Sequence, residues 1–270
     1  MYNKFFGFKE KPFKLVPNPA YFYLSKSHEE ALAHLNYAIS QGDGFVEITG
    51  EVGTGKTTLC RAFLESLNGT VEAAYIFNPK LGPKQLLKNI NEEFGIKSDG
   101  DNTKDLIDTL NIFLMQKKAS GKKVILLIDE AQNLNRNVLE QLRLLSNLET
   151  NRDKLLQIIL VGQPELSQIL YSHELRQLGQ RITLSYQLGP LTFNESKEYI
   201  QYRIGIAANK SAIKFDRSAY RQIYKYSKGI PRLINIVCDR ALLTAFVLNQ
   251  FKITANIAKT SVKELASRGR

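Results

Sequence analysis

A glycine-rich segment joins a predicted strand to a predicted helix early in this 270-residue chain. It reads Gly50-Glu-Val-Gly-Thr-Gly-Lys-Thr-Thr58 and follows the short apolar stretch 45–49. Glycines let the backbone turn so that several amide N–H groups face one point, and the helix that follows adds the positive end of its dipole. The segment therefore predicts an α/β chain with an anion site at the end of a strand.

The spacing of the residues in this segment indicates which anion is bound. Gly50-x-x-x-x-Gly55-Lys56-Thr57 is the phosphate-loop pattern of nucleotide-binding proteins. ATP and Mg²⁺ are the predicted ligands, and the predicted contacts come from Gly50, Glu51, Val52, Gly53, Thr54, Gly55, Lys56, Thr57 and Thr58. We expect Lys56 to bring its charge to the β- and γ-phosphates, Thr57 to offer its hydroxyl to Mg²⁺, and Thr58 to reach the α-phosphate.

Strands and helices alternate as far as Pro190. After the strand at 45–49 and the helix that starts at Lys56, strands are expected at 71–77, 124–128, 155–161 and 182–187, and helices near 83–94, 103–119 and 136–149. Such alternation predicts a parallel sheet with helices on both faces. Beyond Pro190 the pattern is helical only, near 194–208, 216–226, 231–249 and 254–266. We expect a nucleotide-binding domain over 45–190 and a small all-helical domain over 191–270.

The first 44 residues differ from both predicted domains. Prolines at 12, 17 and 19 stand among many aromatic rings, which predicts an extended arm that packs on the nucleotide-binding core. Ser27-x-x-Glu30 matches a capping box, and the apolar spacing behind it predicts a helix to about Gln41.

Two acidic residues follow the most apolar strand. Val124-Ile-Leu-Leu-Ile128 shows no polar alternation, as in a central strand that is buried on both faces, and Asp129-Glu130 comes directly after it. Ligands of parallel sheets lie at the carboxyl ends of the strands, so both acids are expected near the phosphate loop. Asp129 is predicted to hold Mg²⁺ and Glu130 to orient and polarise the attacking water. An acid in that position favours hydrolysis.

Two amide side chains end other strands. Asn78 could bond the Glu130 carboxylate and hold it away from water, although Asn-Pro is also an ordinary turn dipeptide. Gln163 could sense the γ-phosphate, or it could be a plain loop residue.

Three arginines are candidates for contact with the nucleotide. Arg176 and Arg181 precede the last strand, where either could enter the site of a neighbouring subunit, although a surface arginine is the simpler interpretation. Arg232 lies in Gly229-Ile-Pro-Arg, which opens the most apolar C-terminal helix. The helix dipole disfavours a cation there, and a bound polyphosphate would compensate for it.

The charge is concentrated in the C-terminal part. Residues 191–270 hold 15 Lys or Arg and five Asp or Glu, a net charge of +10 of the +11 of the whole chain. This indicates either an acidic partner (nucleic acid, anionic lipid or an acidic protein face) or merely a solvated basic surface. No signal peptide or apolar run of about 20 residues is evident, so a cytoplasmic location and reduced core cysteines are expected.

Together these elements resemble an AAA+ ATPase, and more narrowly the secretion-ATPase group typified by general secretion pathway A proteins, with relatives from pilus-biogenesis and exosortase-linked export loci. The segments that carry the resemblance are Phe6-Gly-Phe-x-x-x-Pro12-Phe13, Pro17-x-Pro19, Gly44-Phe, the phosphate loop with Leu-Cys-Arg61, Ile128-Asp-Glu-Ala-Gln132, Leu145-Ser-Asn-Leu-Glu149, Leu160-Val-Gly-Gln-Pro-Glu-Leu166, Gln180-Arg-Ile182 and Gly229-Ile-Pro-Arg232. They extend over nearly the whole chain.

The resemblance implies further roles. It makes Arg181 the expected arginine finger, with Arg176 second, and Arg232 the sensor-two arginine of a helical lid. It also implies that the aromatic arm frames the adenine pocket with His28 nearby. Secretion A proteins typically continue into a membrane span and a periplasmic peptidoglycan-binding domain, so we expect either a longer parent protein or a shorter, wholly cytoplasmic relative.

Two functions are consistent with these features. The first is an ATPase that forms nucleotide-dependent homo-oligomers, as a ring or a filament, and drives assembly of a bacterial envelope secretion, pilus or polysaccharide export system. An inner-membrane secretion protein is then an expected partner, at the cytoplasmic face of that membrane. The alternative is a DNA-binding AAA+ regulator similar to transposition helper ATPases, with DNA or an anionic membrane surface bound by the basic lid.

Overall fold

A computed structural model describes residues 2–42, 44–77, 79–97, 102–149, 154–208 and 213–267 of the chain. The helices are α1 Tyr2–Phe6, α2 Lys26–Gln41, α3 Lys56–Ser66, α4 Pro83–Glu93, α5 Thr103–Ala119, α6 Arg136–Leu145, α7 Glu165–Leu170, α8 Arg176–Gly179, α9 Phe193–Ala207, α10 Arg217–Ser227, α11 Pro231–Val247 and α12 Ala255–Ala266. The strands are β1 Phe45–Gly50, β2 Val71–Phe77, β3 Lys123–Asp129, β4 Gln157–Gly162, β5 Ile182–Leu188, β6 Lys214–Phe215 and β7 Lys252–Ile253. Short 3-10 turns occupy Pro19–Tyr21, Ala131–Asn133 and His173–Leu175.

The chain forms two compact units. Unit 1 comprises Met1–Ser27, Glu51–Thr58 and Gly189–Arg270, and unit 2 comprises His28–Gly50 and Leu59–Leu188. Each unit has its own apolar core. The phosphate loop therefore groups with the C-terminal helices, whereas the strand that leads into it belongs to unit 2.

Unit 2 is built on a parallel five-stranded sheet in the order β2-β3-β4-β1-β5. From Val124 to Asp129 every residue of β3 is buried, as the unbroken apolar run predicts. After β1 the chain crosses to β2 at the far edge of the sheet and then returns through β3 and β4. The direction in which successive strands are added therefore reverses next to β1. Ligands of such sheets lie outside the carboxyl ends of the strands at this reversal. Gly50, Asp129 and Gly162 all lie at that edge.

Unit 1 combines the N-terminal arm with helices α9 to α12. Helix α9 starts with a full capping box, in which the Thr192 hydroxyl accepts from the Glu195 N–H and the Glu195 carboxylate accepts from the Thr192 N–H. The core includes arm residues as well as helix residues, among them Tyr2, Phe6, Phe8, Phe13 and Tyr21. We expected the arm to pack on the nucleotide-binding core. Its buried rings instead belong to the core of unit 1, because the apolar faces of the C-terminal helices cover them.

A buried arginine fastens the arm to α9. Arg203 is only 7% exposed, and its guanidinium donates to the carbonyl oxygens of Pro12 (2.7 Å) and Lys14 (3.2 Å). It also stands over the Tyr21 ring at 4.8 Å and bonds the Tyr199 hydroxyl at 2.9 Å. Its charge is thus compensated by carbonyl dipoles and ring faces, which is what a buried arginine requires.

Three local predictions were wrong. Ser27 and Glu30 lie inside α2, which begins at Lys26, so Ser27 is not at the N-cap position; the two side chains accept from the Gly189 N–H and the Tyr186 hydroxyl, respectively. The arm is not extended throughout, since its first residues form α1, ahead of the prolines. Helix α6 ends at Leu145 and not near 149, because the chain turns back there and the Leu155 N–H bonds the Leu148 carbonyl.

Candidate active site

The phosphate loop closes around one carbonyl group. The Glu51 carbonyl accepts from the Thr54 N–H (3.2 Å), the Thr54 hydroxyl (2.8 Å) and the Lys56 ammonium (3.1 Å). Gly53 and Gly55 have φ angles of 85° and 106°, which favour glycine. Lys56 is only 5% exposed, so its ammonium is held inside the loop and not in bulk water. The loop thus gathers a buried cation and backbone donors at the start of a helix.

The first turn of α11 lies against this loop within unit 1. The Arg232 N–H donates to the Gly53 carbonyl at 3.2 Å, which satisfies one of the free donors of a helix start. A Cβ at Gly53 would lie 2.5 Å from Arg232 Cβ and 3.3 Å from its Cδ. Arg232 is exposed, and no acid among the described residues pairs with its guanidinium. The sensor-two candidate therefore extends along the loop with its charge available.

This close approach leads to a prediction for Gly53→Ala. A methyl group there meets Arg232 Cβ, and the positive φ adds strain on the order of 1–3 kcal/mol. We expect a lower melting temperature and weaker ATP binding, measured by calorimetry and titration. Gly205→Ala, in the last turn of α9 with no heavy atom within 4 Å of the added Cβ, is the control and should be neutral or stabilising. Wild-type stability and affinity for Gly53→Ala would contradict the assignment.

The backbone at the first position of the Gly229-Ile-Pro-Arg motif requires a glycine. Gly229 has a φ of 81°, and a Cβ there would lie 1.9 Å from the Leu191 carbonyl oxygen. Its own carbonyl accepts from the Leu191 N–H at 3.0 Å. Pro231 then occupies the first position of α11, where a missing N–H costs nothing. The motif therefore sets the direction in which α11 starts and, with it, the position of Arg232.

Asp129 ends β3 as a fully buried carboxylate. One oxygen accepts from the Glu130 N–H at 2.8 Å and the other from the Tyr75 hydroxyl at 3.2 Å. Burial raises the pKa of Tyr75, and the nearby Asp129 charge raises it further, so the phenol stays a donor. Tyr75 was not predicted as a site residue. Only its position in β2, whose register pairs Phe77 with Asp129, could have indicated it.

Glu130 is held by two glutamine side chains. One of its carboxylate oxygens accepts from the Gln132 amide at 2.6 Å and from the Gln163 amide at 3.4 Å. The Gln132 amide oxygen in turn accepts from the Gln163 N–H at 3.0 Å. Glu130 has a φ of 55°, a strained conformation of the kind found at functional sites. Gly162 makes room for this arrangement, because a Cβ there would lie 2.8 Å from the Gln132 oxygen.

Gln132 is thus a site residue that the sequence analysis did not single out, although it stands in the Asp-Glu-Ala-Gln segment. Asn78, the predicted partner of Glu130, lies outside the described residues. Among the residues that are described, the amides on Glu130 come from Gln132 and Gln163, and no lysine or arginine pairs with it.

The remaining candidates are dispersed. His28 is buried in α2 at 3% exposure. Arg176 is exposed at the start of α8, and no acidic partner for it occurs in the described ranges. Arg181 is half-buried and contacts the end of α6 in its own chain, with bonds to Ser146 and Asn147.

The donor groups fit the predicted ligands. A buried ammonium and a loop of positive-φ glycines at a helix start suit a polyphosphate. The Thr57 hydroxyl of unit 1 and the Asp129 carboxylate of unit 2 are each hard oxygen donors, the type of ligand that Mg²⁺ prefers.

Comparisons with known proteins agree with this picture. A family model described as an AAA domain matches residues 39–170. General secretion pathway protein A of Aeromonas hydrophila is 50% identical over 254 residues, which cover 94% of this chain and 46% of that protein. The chain therefore spans about half the length of this curated relative. The resemblance stated from sequence is confirmed.

Solved structures share the fold at low sequence identity. The ORC2 protein of Aeropyrum pernix, in ADPNP-ADP complexes, has a TM-score of 0.70 at 18% identity and covers 96% of this chain and 72% of its own. Cdc6p of Pyrobaculum aerophilum has a TM-score of 0.68 at 17% identity, with 92% and 71% covered. The RuvB Holliday junction branch migration motor of Thermotoga maritima has 0.59 at 22%, with 89% and 69% covered. The predicted fold class is confirmed.

None of the helices in the described part of the chain has the length and apolarity that a membrane crossing requires.

Proposed function

This chain is an AAA+ protein related to general secretion pathway protein A, and from that premise we propose that it hydrolyses ATP with Mg²⁺ in a nucleotide-dependent homo-oligomer. The observation that carries the proposal is the Glu130 carboxylate. It lies directly after β3, is held by two amides, and has no cationic partner among the described residues. A carboxylate that neutral amides hold in one orientation is placed to accept a proton from water.

The phosphate loop binds the triphosphate in this proposal. Backbone amides of residues 50–58 and the Lys56 ammonium bind the phosphate oxygens, and Arg232 adds a second positive charge. The Thr57 hydroxyl and the Asp129 carboxylate would hold Mg²⁺, which would supply positive charge to the phosphate oxygens. Tyr75 fixes the orientation of the Asp129 carboxylate by its hydrogen bond.

Glu130 acts on water. Its carboxylate accepts a proton as the water oxygen bonds to the γ-phosphorus, and the bond from that phosphorus to the β–γ bridging oxygen breaks, giving ADP and phosphate. The Gln163 side-chain amide donates to the Glu130 carboxylate. A γ-phosphate that moves Gln163 would therefore also change the position of the base, Glu130. This geometry supports a sensor role for Gln163.

Arg181 is proposed to act in the site of a neighbouring subunit, with Arg176 the second candidate. Its bonds within its own chain go to neutral oxygens at the end of α6 and to no acid among the described residues. An arginine finger of this kind typically increases the rate of hydrolysis about 10³–10⁵-fold. Oligomerisation, as a ring or a filament, would then control hydrolysis.

The relative supports a proposal for the biological role. A protein half identical to general secretion pathway protein A is proposed to help assemble or energise an envelope secretion, pilus or polysaccharide export system, at the cytoplasmic face of the inner membrane with an inner-membrane partner. DNA-dependent regulation is the second candidate, because residues 191–270 carry a net charge of +10.

A mixing experiment tests the shared site. Arg181→Ala should bind ATP normally and hydrolyse it about 10³-fold more slowly in assembled protein. A Glu130→Gln subunit keeps its own finger, so mixing the two inactive variants should restore hydrolysis at interfaces where that finger meets an intact site. Near-wild-type activity of Arg181→Ala in assembled protein, or no recovery on mixing, would contradict the proposal.

The same samples distinguish the two roles. Light scattering with and without ATP reports assembly, and duplex DNA is added in a second series. DNA that increases hydrolysis or particle size, with an affinity that falls steeply with salt, would favour the regulator. No effect at micromolar duplex and low salt would exclude it.

A further inference from the structure

The C-terminal end of α6 holds the guanidinium of Arg181. Its Nη1 atom donates to the Asn147 side-chain oxygen at 2.5 Å, to the Ser146 hydroxyl at 2.7 Å and, more weakly, to the Arg143 carbonyl at 3.4 Å. These contacts join residues 34 to 38 positions apart in the chain. Ser146 and Asn147 belong to the Leu-Ser-Asn-Leu-Glu segment, to which the proposed ATPase mechanism assigns no role.

The Ser146 hydroxyl both donates and accepts a hydrogen bond. It donates to the Arg143 carbonyl at 2.7 Å and accepts from Arg181, so the hydroxyl connects the arginine to the last turn of the helix. Ser146 is the C-cap of α6, where free carbonyl groups and the helix dipole favour a cation. The arginine therefore meets a site suited to its charge without needing an acid.

Nearby charges are already paired. The Arg143 guanidinium bonds Glu140 at 2.7 Å, and Glu149 pairs with Lys154. The Lys154 hydrogen bond is the main reason that the pKa of Glu149 is lowered, with a smaller contribution from the charge of Arg181. Among the described residues, Arg181 is thus in direct contact with neutral oxygen atoms and with no carboxylate.

The helix α6, whose end holds Arg181, is firmly packed. Four apolar residues of α6 are buried at 1% exposure or less, and Asn135 caps the other end of the helix by accepting from the Val138 N–H. The buried residues are Val138, Leu139, Leu142 and Leu145. A helix fixed along its length and capped at its start presents Ser146 and Asn147 in a constant position.

Within the described ranges, the Arg181 guanidinium donates hydrogen bonds through one nitrogen, Nη1. No hydrogen bond from its Nε or Nη2 to any described residue is found. A guanidinium has five N–H donors in a planar fork, so a bond through one end leaves the opposite edge free to bind phosphate oxygens.

We infer that Ser146 and Asn147 are positioning residues which hold Arg181 in the orientation that reaches the nucleotide of a second copy of this chain. The inference rests on the proposed shared site and assigns to it a surface formed by the end of α6 and the start of β5. Holding the arginine before the subunits meet reduces the rotamer freedom that it would otherwise lose on assembly.

The test is the double variant Ser146→Ala, Asn147→Ala in the full chain, assayed under assembling conditions with ATP. We expect hydrolysis to fall about 10–100-fold, because a misplacement of about 1 Å can cost that much, while ATP affinity stays unchanged. The control is Ser120→Ala, Asn102→Ala. Ser120 is the C-cap of α5 and donates to the Lys117 carbonyl at 2.8 Å, and Asn102 caps the start of that helix, so similar bonds are lost far from any arginine finger.

Mixing with Glu130→Gln distinguishes positioning from damage. The double variant keeps an intact hydrolytic site, so a Glu130→Gln neighbour with a normal finger should restore its activity. Slow hydrolysis that mixing does not restore would indicate a merely structural defect and overturn the inference. Normal hydrolysis by the double variant, with Arg181→Ala inactive, would overturn the inference and leave the shared site standing. An active Arg181→Ala in assembled protein would overturn both.

Discussion

Lys56→Ala is expected to abolish ATP binding. The Lys56 ammonium is the one cation bonded inside the loop as far as the structure describes it, held at 3.1 Å from the Glu51 carbonyl. Charge-assisted hydrogen bonds contribute roughly 1.5–3 kcal/mol each, so the loss of bonds to two phosphate oxygens weakens binding by at least about 100-fold. Equilibrium titration with a fluorescent ATP analogue measures the change.

The control for this variant is Lys104→Ala. Lys104 is exposed in the first turn of α5, where a lysine gains nothing from the helix dipole, and its removal alters net charge by the same amount. It should bind ATP like the parent protein. Tight binding by a folded Lys56→Ala protein, with folding checked by thermal melting, would show that residues 50–58 are not the nucleotide site.

Glu130→Gln is expected to separate binding from hydrolysis. The introduced amide oxygen can still accept from Gln132, so the turn after β3 keeps its shape, but a neutral amide cannot take a proton from water. Loss of a positioned general base typically costs about 10²–10⁴ in rate. We expect normal ATP affinity and phosphate release slowed by that factor in a single-turnover assay.

Glu92→Gln makes the same charge change on the exposed face of α4 and should hydrolyse ATP at the parent rate. If Glu130→Gln releases phosphate nearly as fast as the parent, another group activates the water. If instead it loses ATP binding, Glu130 acts on the bound nucleotide and not on water. Since Glu130→Gln also serves as the partner in the mixing experiments, its own assay precedes them.

Much of the fold could be predicted because its signals are local. The strand β3 is an unbroken apolar run, which only a doubly buried position explains, and the helices show their own apolar spacing. The phosphate loop could be located from nine adjacent residues, since its turn needs glycines at fixed offsets. The position of Asp129 and Glu130 at the ligand-binding edge follows from the rule that parallel sheets bind ligands at the carboxyl ends of their strands.

The surroundings of the site could not be predicted, because they depend on residues distant in sequence. Gln163 meets Glu130 across 33 positions and Arg181 meets Asn147 across 34, and neither pairing leaves a periodic trace. The end of α6 was misplaced for the same reason. Apolar spacing continues to Leu148, but the backbone bond from Leu155 turns the chain back.

The phosphate loop shows which features depend on the sequence alone and which depend on the tertiary structure. Its residues and their chemistry were determined by the sequence alone, because a tight turn, a helix start and a lysine are encoded within one segment. Only the tertiary structure decided that the loop groups with the C-terminal helices, that a Cβ at Gly53 would lie 2.5 Å from Arg232 Cβ, and that two glutamines hold Glu130. Local propensity acts on neighbours in the chain, whereas close packing and buried hydrogen bonds select partners by position in space.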